Sequence, residues 1–153
     1  MPNFLTAFVA LAVVAAAPFA VAAEKPAIEF LNSGKVVPAG LPFSEAVRAG
    51  DTLYLSGQVG IKPGTMKLVA GGIREESRQA LENIRATLTT HGYAMGDVVK
   101  CTVMLADIAE WAAFNEVYQT FFTAPYPARS ALGANGLALG ARVEVECIAV
   151  RSD

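Results

Sequence analysis

The sequence predicts an α/β fold of two layers, an α+β arrangement with two helices on one face of a mixed sheet. Three observations carry that expectation. Ile73, Leu81, Ile84 and Leu88 recur at helical spacing among charged residues. "DVVKCTVML" and "ARVEVECIAV" alternate as half-buried strands do. A second amphipathic helix lies between strand-like segments, and two helices cover only one face of such a sheet.

"AIEFLNSGK", Ala27 to Lys35, reads as a short edge strand. "FSEAVRAGDTLYLSGQVG" reads as a hairpin: "SEAVRA" is its first strand, Gly50-Asp51 its turn, and the β-forming "TLYLSGQ" its second strand. "KPGTMKLVAGG" is a loop punctuated by Pro, Gly and Thr. The first helix runs from about Ile73 to Thr90 and ends at His91-Gly92, which places the histidine at a helix C-terminus before a C′ glycine.

The Asp97–Leu105 strand puts Val99, Cys101, Val103 and Leu105 on one face. Asp107 and Glu110 have capping-box spacing. The helix after them uses Trp111, Phe114, Tyr118 and Phe121 as a core stripe, and Pro125 and Pro127 stop it. "ARSALG" is a short strand and "ANGLALG" a turn-rich connection. The last strand turns Val143, Val145, Cys147 and Ala149 one way and Glu144, Glu146 and Ile148 the other. The apolar, cysteine-bearing face suits the helices. Tyr54, Ser56, Thr102, Met104, Glu144 and Ile148 fall on the opposite face, too apolar for plain surface and too polar for core. That face calls for a second copy of the chain, with clefts between copies.

The chain has 153 residues and 54% hydrophobic content, an excess concentrated at the N-terminus. Phe4 to Ala23, "FLTAFVALAVVAAAPFAVAA", carries no charge and ends with Ala20 and Ala22 in an A-x-A pattern. This resembles a signal peptide over residues 1–23, followed by a single domain over 24–153 in the periplasm or secreted. An uncleaved anchor facing the periplasm is the alternative, since about 20 apolar residues can span a bilayer. Twelve basic against 14 acidic residues give a net charge of −2, which offers no basic face for nucleic acid. Two cysteines and one histidine exclude a Cys/His zinc cluster within one chain.

"PFSEAVRAGDTLYLSGQVG", "GGIREESRQALENIRATL", "DVVKCTVMLADIAEWAAFNEVYQTFF", "YPARSALG" and "ARVEVECIAV", in that order, resemble the RidA/YjgF family of reactive-intermediate deaminases. The resemblance runs from Leu41 to about Arg151. It implies a chorismate-mutase-like fold, a homotrimer with its sheets forming an inner barrel, and three clefts between subunits. It also implies hydrolysis of small enamines and imines, such as 2-aminoacrylate, to 2-keto acids and ammonia, with no metal and no organic cofactor.

On that resemblance, Arg129 of "PARS" matches the arginine that grips the substrate carboxylate, a role suited to a planar bidentate fork. Gly57 of "SGQ" matches the glycine whose backbone N–H shares the carboxylate, with Ser56 beside it. Glu144, the first acid of "VEVE", matches the water-orienting glutamate. Asn115 matches a pocket-lining asparagine. Two positions depart from the family pattern. Phe43 stands where many members have tyrosine, which removes a hydroxyl, and Ala131 stands where some have cysteine. Glu146 reads as a surface or interface charge.

Read without the family, Arg129 and Glu144 could equally form a salt bridge between neighbouring strands. Two classes of function stay open: a hydrolase, or a non-catalytic, trimeric small-carboxylate-binding or chaperone-like protein. A ribonuclease is disfavoured by the single helix-end histidine and the absent basic patch. In the family fold Cys101 and Cys147 lie on adjacent strands and face the same way. Buried free thiols are the expected state of such a core pair, and a disulfide, which an oxidising compartment would permit, is the alternative.

Overall fold

A computed structural model describes residues 25–151; the apolar N-terminal segment and its Ala-x-Ala pattern lie outside the described residues. The chain forms β1 (Ile28–Leu31), β2 (Ala46–Ala49), β3 (Thr52–Leu55), β4 (Gln58–Val59), α1 (Ile73–Thr90), β5 (Val98–Leu105), α2 (Trp111–Tyr118), β6 (Ala128–Gly133) and β7 (Val143–Val150). The sheet order is β1-β2-β3-β7-β5-β6, and β4 continues the hairpin's line to pair with β7. Only the β5–β6 pair is parallel, because α2 carries the chain back between them.

Both helices pack on the predicted face. Leu81, Ile84 and Leu88 of α1 meet Cys101, Val103 and Leu105 of β5 and Val143, Val145 and Ala149 of β7 in one core. Each of these side chains is nearly or wholly removed from water, worth roughly 1.5–3 kcal/mol for a large aliphatic one. His91 ends α1 as expected, and Gly92 follows at φ 83°.

Polar groups within the core fix the layers against each other. The buried Asn83 amide donates to the carbonyls of Val59 (3.2 Å) and Ile61 (3.0 Å), and so ties β4 to α1. The Glu76 carboxylate accepts from the Arg142 N–H at 2.8 Å, which holds the start of β7. Cys101 and Cys147 stand directly opposite each other on β5 and β7 and form a disulfide rather than the expected free thiols, with Cα atoms 4.1 Å apart. That spacing suits the close kind of antiparallel pair.

Four local expectations are corrected. Val99 is 46% exposed, and Val98 takes its place in the core, because the β5–β7 register shifts between Val98 and Lys100. The second helix ends at Tyr118, well before Pro125, and Phe121 and Phe122 reach the core from the turn that follows. Trp111 is 42% exposed rather than core. The Asp107–Glu110 pair is not a reciprocal capping box. Asp107 accepts from the Ala109 N–H at 2.9 Å, while the Glu110 side chain pairs with Arg142.

Among the described residues nothing covers the sheet face away from the helices. Register places Phe30, Val47, Tyr54, Ile148, Thr102, Met104 and Glu144 on it, and Phe30 and Tyr54 are 72% and 48% exposed. The sequence expectation of an unpartnered, part-apolar face therefore holds within one protomer. No helix of the described residues is long and apolar enough to cross a membrane.

Candidate functional site

Arg129 sits on β6 opposite Cys101 in the parallel ladder. Residues in register project to the same side of a sheet, so its side chain leaves on the helix side, where α2 ends. There its guanidinium carbon lies 4.5 Å from the centre of the Tyr118 ring, 5.7 Å from Trp111 and 5.9 Å from Phe114. A cleft of about 420 Å³ opens beside it, lined by Asn115, Tyr118, Gln119, Tyr126, Pro127 and Arg129. That volume suits a small molecule.

The charge on Arg129 is unanswered. Each of the other six arginines lies within salt-bridge distance of a carboxylate: Arg48 of Glu29, Arg74 of Glu116, Arg78 of Glu75, Arg85 of Glu82, Arg142 of Glu110 and Arg151 of Asp51. Among the described residues Arg129 has no such partner, and its Nη1 is shielded from solvent without a hydrogen bond. A shielded donor normally has a partner. Shielding keeps an outside acceptor from Nη1; Nε and Nη2, neither shielded nor hydrogen-bonded, are the free edge of the fork. The interstrand salt bridge with Glu144 does not form.

Glu144 cannot reach Arg129, because the two lie on opposite faces. It pairs with Met104 across β5 and with Val59 of β4, and so points to the uncovered side. It lines a separate pocket of about 170 Å³ together with Phe43, Gly57, Met66 and Leu139. Gly57 makes this possible: a Cβ there would lie 1.9 Å from Glu144 Oε1. Leu139 borders the same pocket at φ 61°, in the left-handed region that a bulky residue rarely adopts. Burial pushes the Glu144 carboxyl above the usual carboxylate range, and the neighbouring Glu146 raises it further.

The candidate residues thus fall into two groups. Arg129 and Asn115 share the first, on the helix side; Phe43, Gly57 and Glu144 share the second, on the open side. Ser56 lies beside the second but its hydroxyl donates to the Ser44 carbonyl at 2.6 Å. Ala131 is exposed on β6, two residues beyond Arg129 and on the same side. Glu146 is exposed on the open face, near Lys100 and Thr102. Tyr118, Gln119, Tyr126 and Leu139 were not singled out from the sequence as site residues. Tyr118 occupies a core-stripe position, and nothing in its spacing distinguishes a ring under a strand from a ring under an arginine.

Fold and clefts define a two-layer α+β domain with two separate pockets, one on each side of the sheet. A sequence model of the family described as endoribonuclease L-PSP matches residues 34–151, and the chain belongs to that family. A 2-iminobutanoate/2-iminopropanoate deaminase of Mus musculus is 46% identical over 110 residues, 72% of this chain and 82% of that protein. Among solved structures, RidA from an Antarctic Psychrobacter is 37% identical, covering 80% of this chain and 99% of its own, with a TM-score of 0.75. Escherichia coli TdcF, solved with bound serine, is 33% identical, covering 81% and 99%, also with a TM-score of 0.75.

Proposed function

We propose that this protein hydrolyses small 2-imino acids and their enamine tautomers to 2-keto acids and ammonia, in sites completed between copies of the chain. The observation that carries the reading is the unpaired Arg129 guanidinium facing an open cleft. It is supported by relatives named as deaminases of 2-iminobutanoate and 2-iminopropanoate and by a related structure holding serine, itself a small amino acid carboxylate.

The chemistry asks little of the protein. Arg129 binds the substrate carboxylate through two N–H groups, which leaves the adjacent C=N carbon fixed in space. By resemblance, the Gly57 N–H shares that carboxylate. Glu144 accepts a proton from a water as its oxygen bonds to the C=N carbon. The resulting carbinolamine carries nitrogen and hydroxyl on one carbon. With the imine protonated at nitrogen at the outset, Glu144 returns the first proton to nitrogen and takes the hydroxyl proton as the C–N bond breaks; the carbonyl forms, ammonia leaves, and Glu144 passes that last proton to ammonia or bulk water. Phe43 contributes no hydroxyl, so the proton inventory rests on Glu144 and water.

Arg129 and Glu144 project from opposite faces of one sheet, so a complete site takes one half from each of two neighbours. A homotrimer with its open faces turned inward provides this and covers Phe30 and Tyr54. In a ribonuclease reading a histidine would be the natural acid or base. His91 instead has its Nε2 turned inward, 3.6 Å from the buried Glu45 carboxylate.

The test is an imino acid assay. An amino acid oxidase generates the imine, semicarbazide competes for it, and the protein is added. Faster keto acid formation is expected, with Arg129→Ala losing at least about 100-fold while the assembly stays intact. No acceleration across several amino acids would leave a carboxylate binder without turnover, the competing reading.

The pH profile gives a second check. Glu144 must be ionised to take a proton, and its raised pKa moves the acidic limb of kcat/KM to higher pH than an ordinary glutamate would give. Glu146→Gln removes the lesser of the two causes. The limb is expected to move to lower pH, and an unmoved limb would assign it to another group.

We further propose export, on two grounds. One is the uncharged Phe4–Ala23 segment with its Ala-x-Ala end. The other is the Cys101–Cys147 disulfide, a bond that persists in oxidising compartments. N-terminal sequencing of protein recovered from its native cells is expected to begin near Glu24; an intact Met1 would overturn cleavage.

A further inference from the structure

We infer that Tyr118 is a positioning residue for Arg129, with Trp111 as its outer support: the rings hold the guanidinium so that its N–H edge stays free for a carboxylate. The inference rests on the proposed carboxylate-gripping role of Arg129 and adds what fixes that grip.

The observations converge on the ring. Tyr118 is 3% exposed and places its ring centre 4.5 Å from the Arg129 guanidinium carbon, closer than the other two rings. It is itself locked, with Phe114 at 5.6 Å and Phe122 at 4.6 Å between ring centres. Its hydroxyl is buried and has no hydrogen-bond partner, so the ring rather than the hydroxyl engages the cation. Burial raises the Tyr118 pKa, and the Arg129 charge beside it offsets part of that rise, in keeping with the short ring-to-guanidinium distance.

The physical case is one of alternatives. An arginine in a protein is usually oriented by a carboxylate, as the six others here are. A carboxylate at this position would occupy the fork and compete with substrate. An aromatic face attracts the cation through its quadrupole and consumes none of its N–H donors. It also limits rotation of a long side chain, so less rotamer freedom is lost on binding. Trp111, at 5.7 Å and 42% exposed, closes the solvent side of the stack.

The assembled full-length-domain protein is tested with pyruvate, an unreactive 2-keto acid, by calorimetry, alongside KM and kcat in the imino acid assay. Tyr118→Phe keeps the ring, and its pyruvate affinity is expected to stay within about twofold of the original. Tyr118→Leu removes the ring and is expected to weaken pyruvate binding and raise KM by about tenfold, with a smaller effect on kcat. A purely structural role would lower the folded fraction, and hence apparent kcat, without raising KM. Tyr118→Phe losing as much as Tyr118→Leu overturns the inference, as does a folded Tyr118→Leu with unchanged affinity. If Tyr118→Leu does not fold, Trp111→Leu decides: a roughly threefold weaker affinity supports the stack and an unchanged one overturns it. Pyruvate binding without imine turnover would defeat the proposed hydrolysis and leave this inference standing; no Arg129-dependent binding would defeat both.

Discussion

Co-expression of Arg129→Ala and Glu144→Ala chains is expected to restore activity that neither variant has alone. In a randomly mixed cyclic assembly, about one quarter of the sites receive Arg129 from one neighbour and Glu144 from the other, both intact. Activity near that fraction of the original follows from the geometry of a single protomer. Arg129 leaves β6 on the helix side, while Glu144 leaves β7 on the uncovered side. The aromatic rings at one position and the Gly57 contact at the other leave neither side chain room to cross the sheet. The two singles, each purified and assayed separately, fix the baseline. A mixture no more active than that baseline would place the whole site within one protomer.

Removing the disulfide is expected to cost the protein about 2–4 kcal/mol of stability. Cys101 and Cys147 are 46 residues apart in sequence, so the bond withholds a large loop from the unfolded ensemble. Both cysteines are buried beneath the helices, at 0% and 2% exposure, so a reductant reaches them only through unfolding. The Cys101→Ala, Cys147→Ala double variant, melted at the same protein concentration as the original, should lose roughly 10 °C. Alkylation of the unreduced, denatured original should label no cysteine. Coincident melting curves, or two labelled cysteines, would remove the bond from any account of stability.

Much of the fold was legible because its signals are local. The α1 stripe of Leu81, Ile84 and Leu88 is uninterrupted, and the helix runs from Ile73 to Thr90 as read. Where reading failed, a neighbour decided. Val98 displaced Val99 through a register shift that depends on β7. Trp111 was taken for core because helical spacing identifies a face but not how far along its length the sheet extends. The early end of α2 let Phe121 and Phe122 fill the core from a turn, which periodicity does not register.

The candidate site was legible as a set of residues and illegible as an arrangement. "PARS" and "VEVE" drew attention to Arg129 and Glu144. Alternation already set Glu144 on the face away from the helices, whereas the side taken by Arg129 depended on the long-range parallel β5–β6 pairing. The fit of Glu144 over Gly57 needs the β4–β7 register, held by Asn83 from α1. The disulfide depended on the β5–β7 pairing. Alternation put each cysteine on the inner face, and only the β5–β7 register set them opposite each other.

The place of β6 at the end of the sheet has a consequence for how the protein comes into being. Among the described residues β6 pairs only with β5, so its other edge presents backbone donors and acceptors without a strand partner, on the strand that carries Arg129. Beside it the sheet exposes Leu132 and, farther along, Tyr54 and Phe30. A newly folded chain is therefore adhesive before it is useful. In the proposed assembly its fate is a race between two second-order processes, ordered association and disordered aggregation. The yield of competent protein is then set by how fast chains meet correctly, as much as by how stably each one folds.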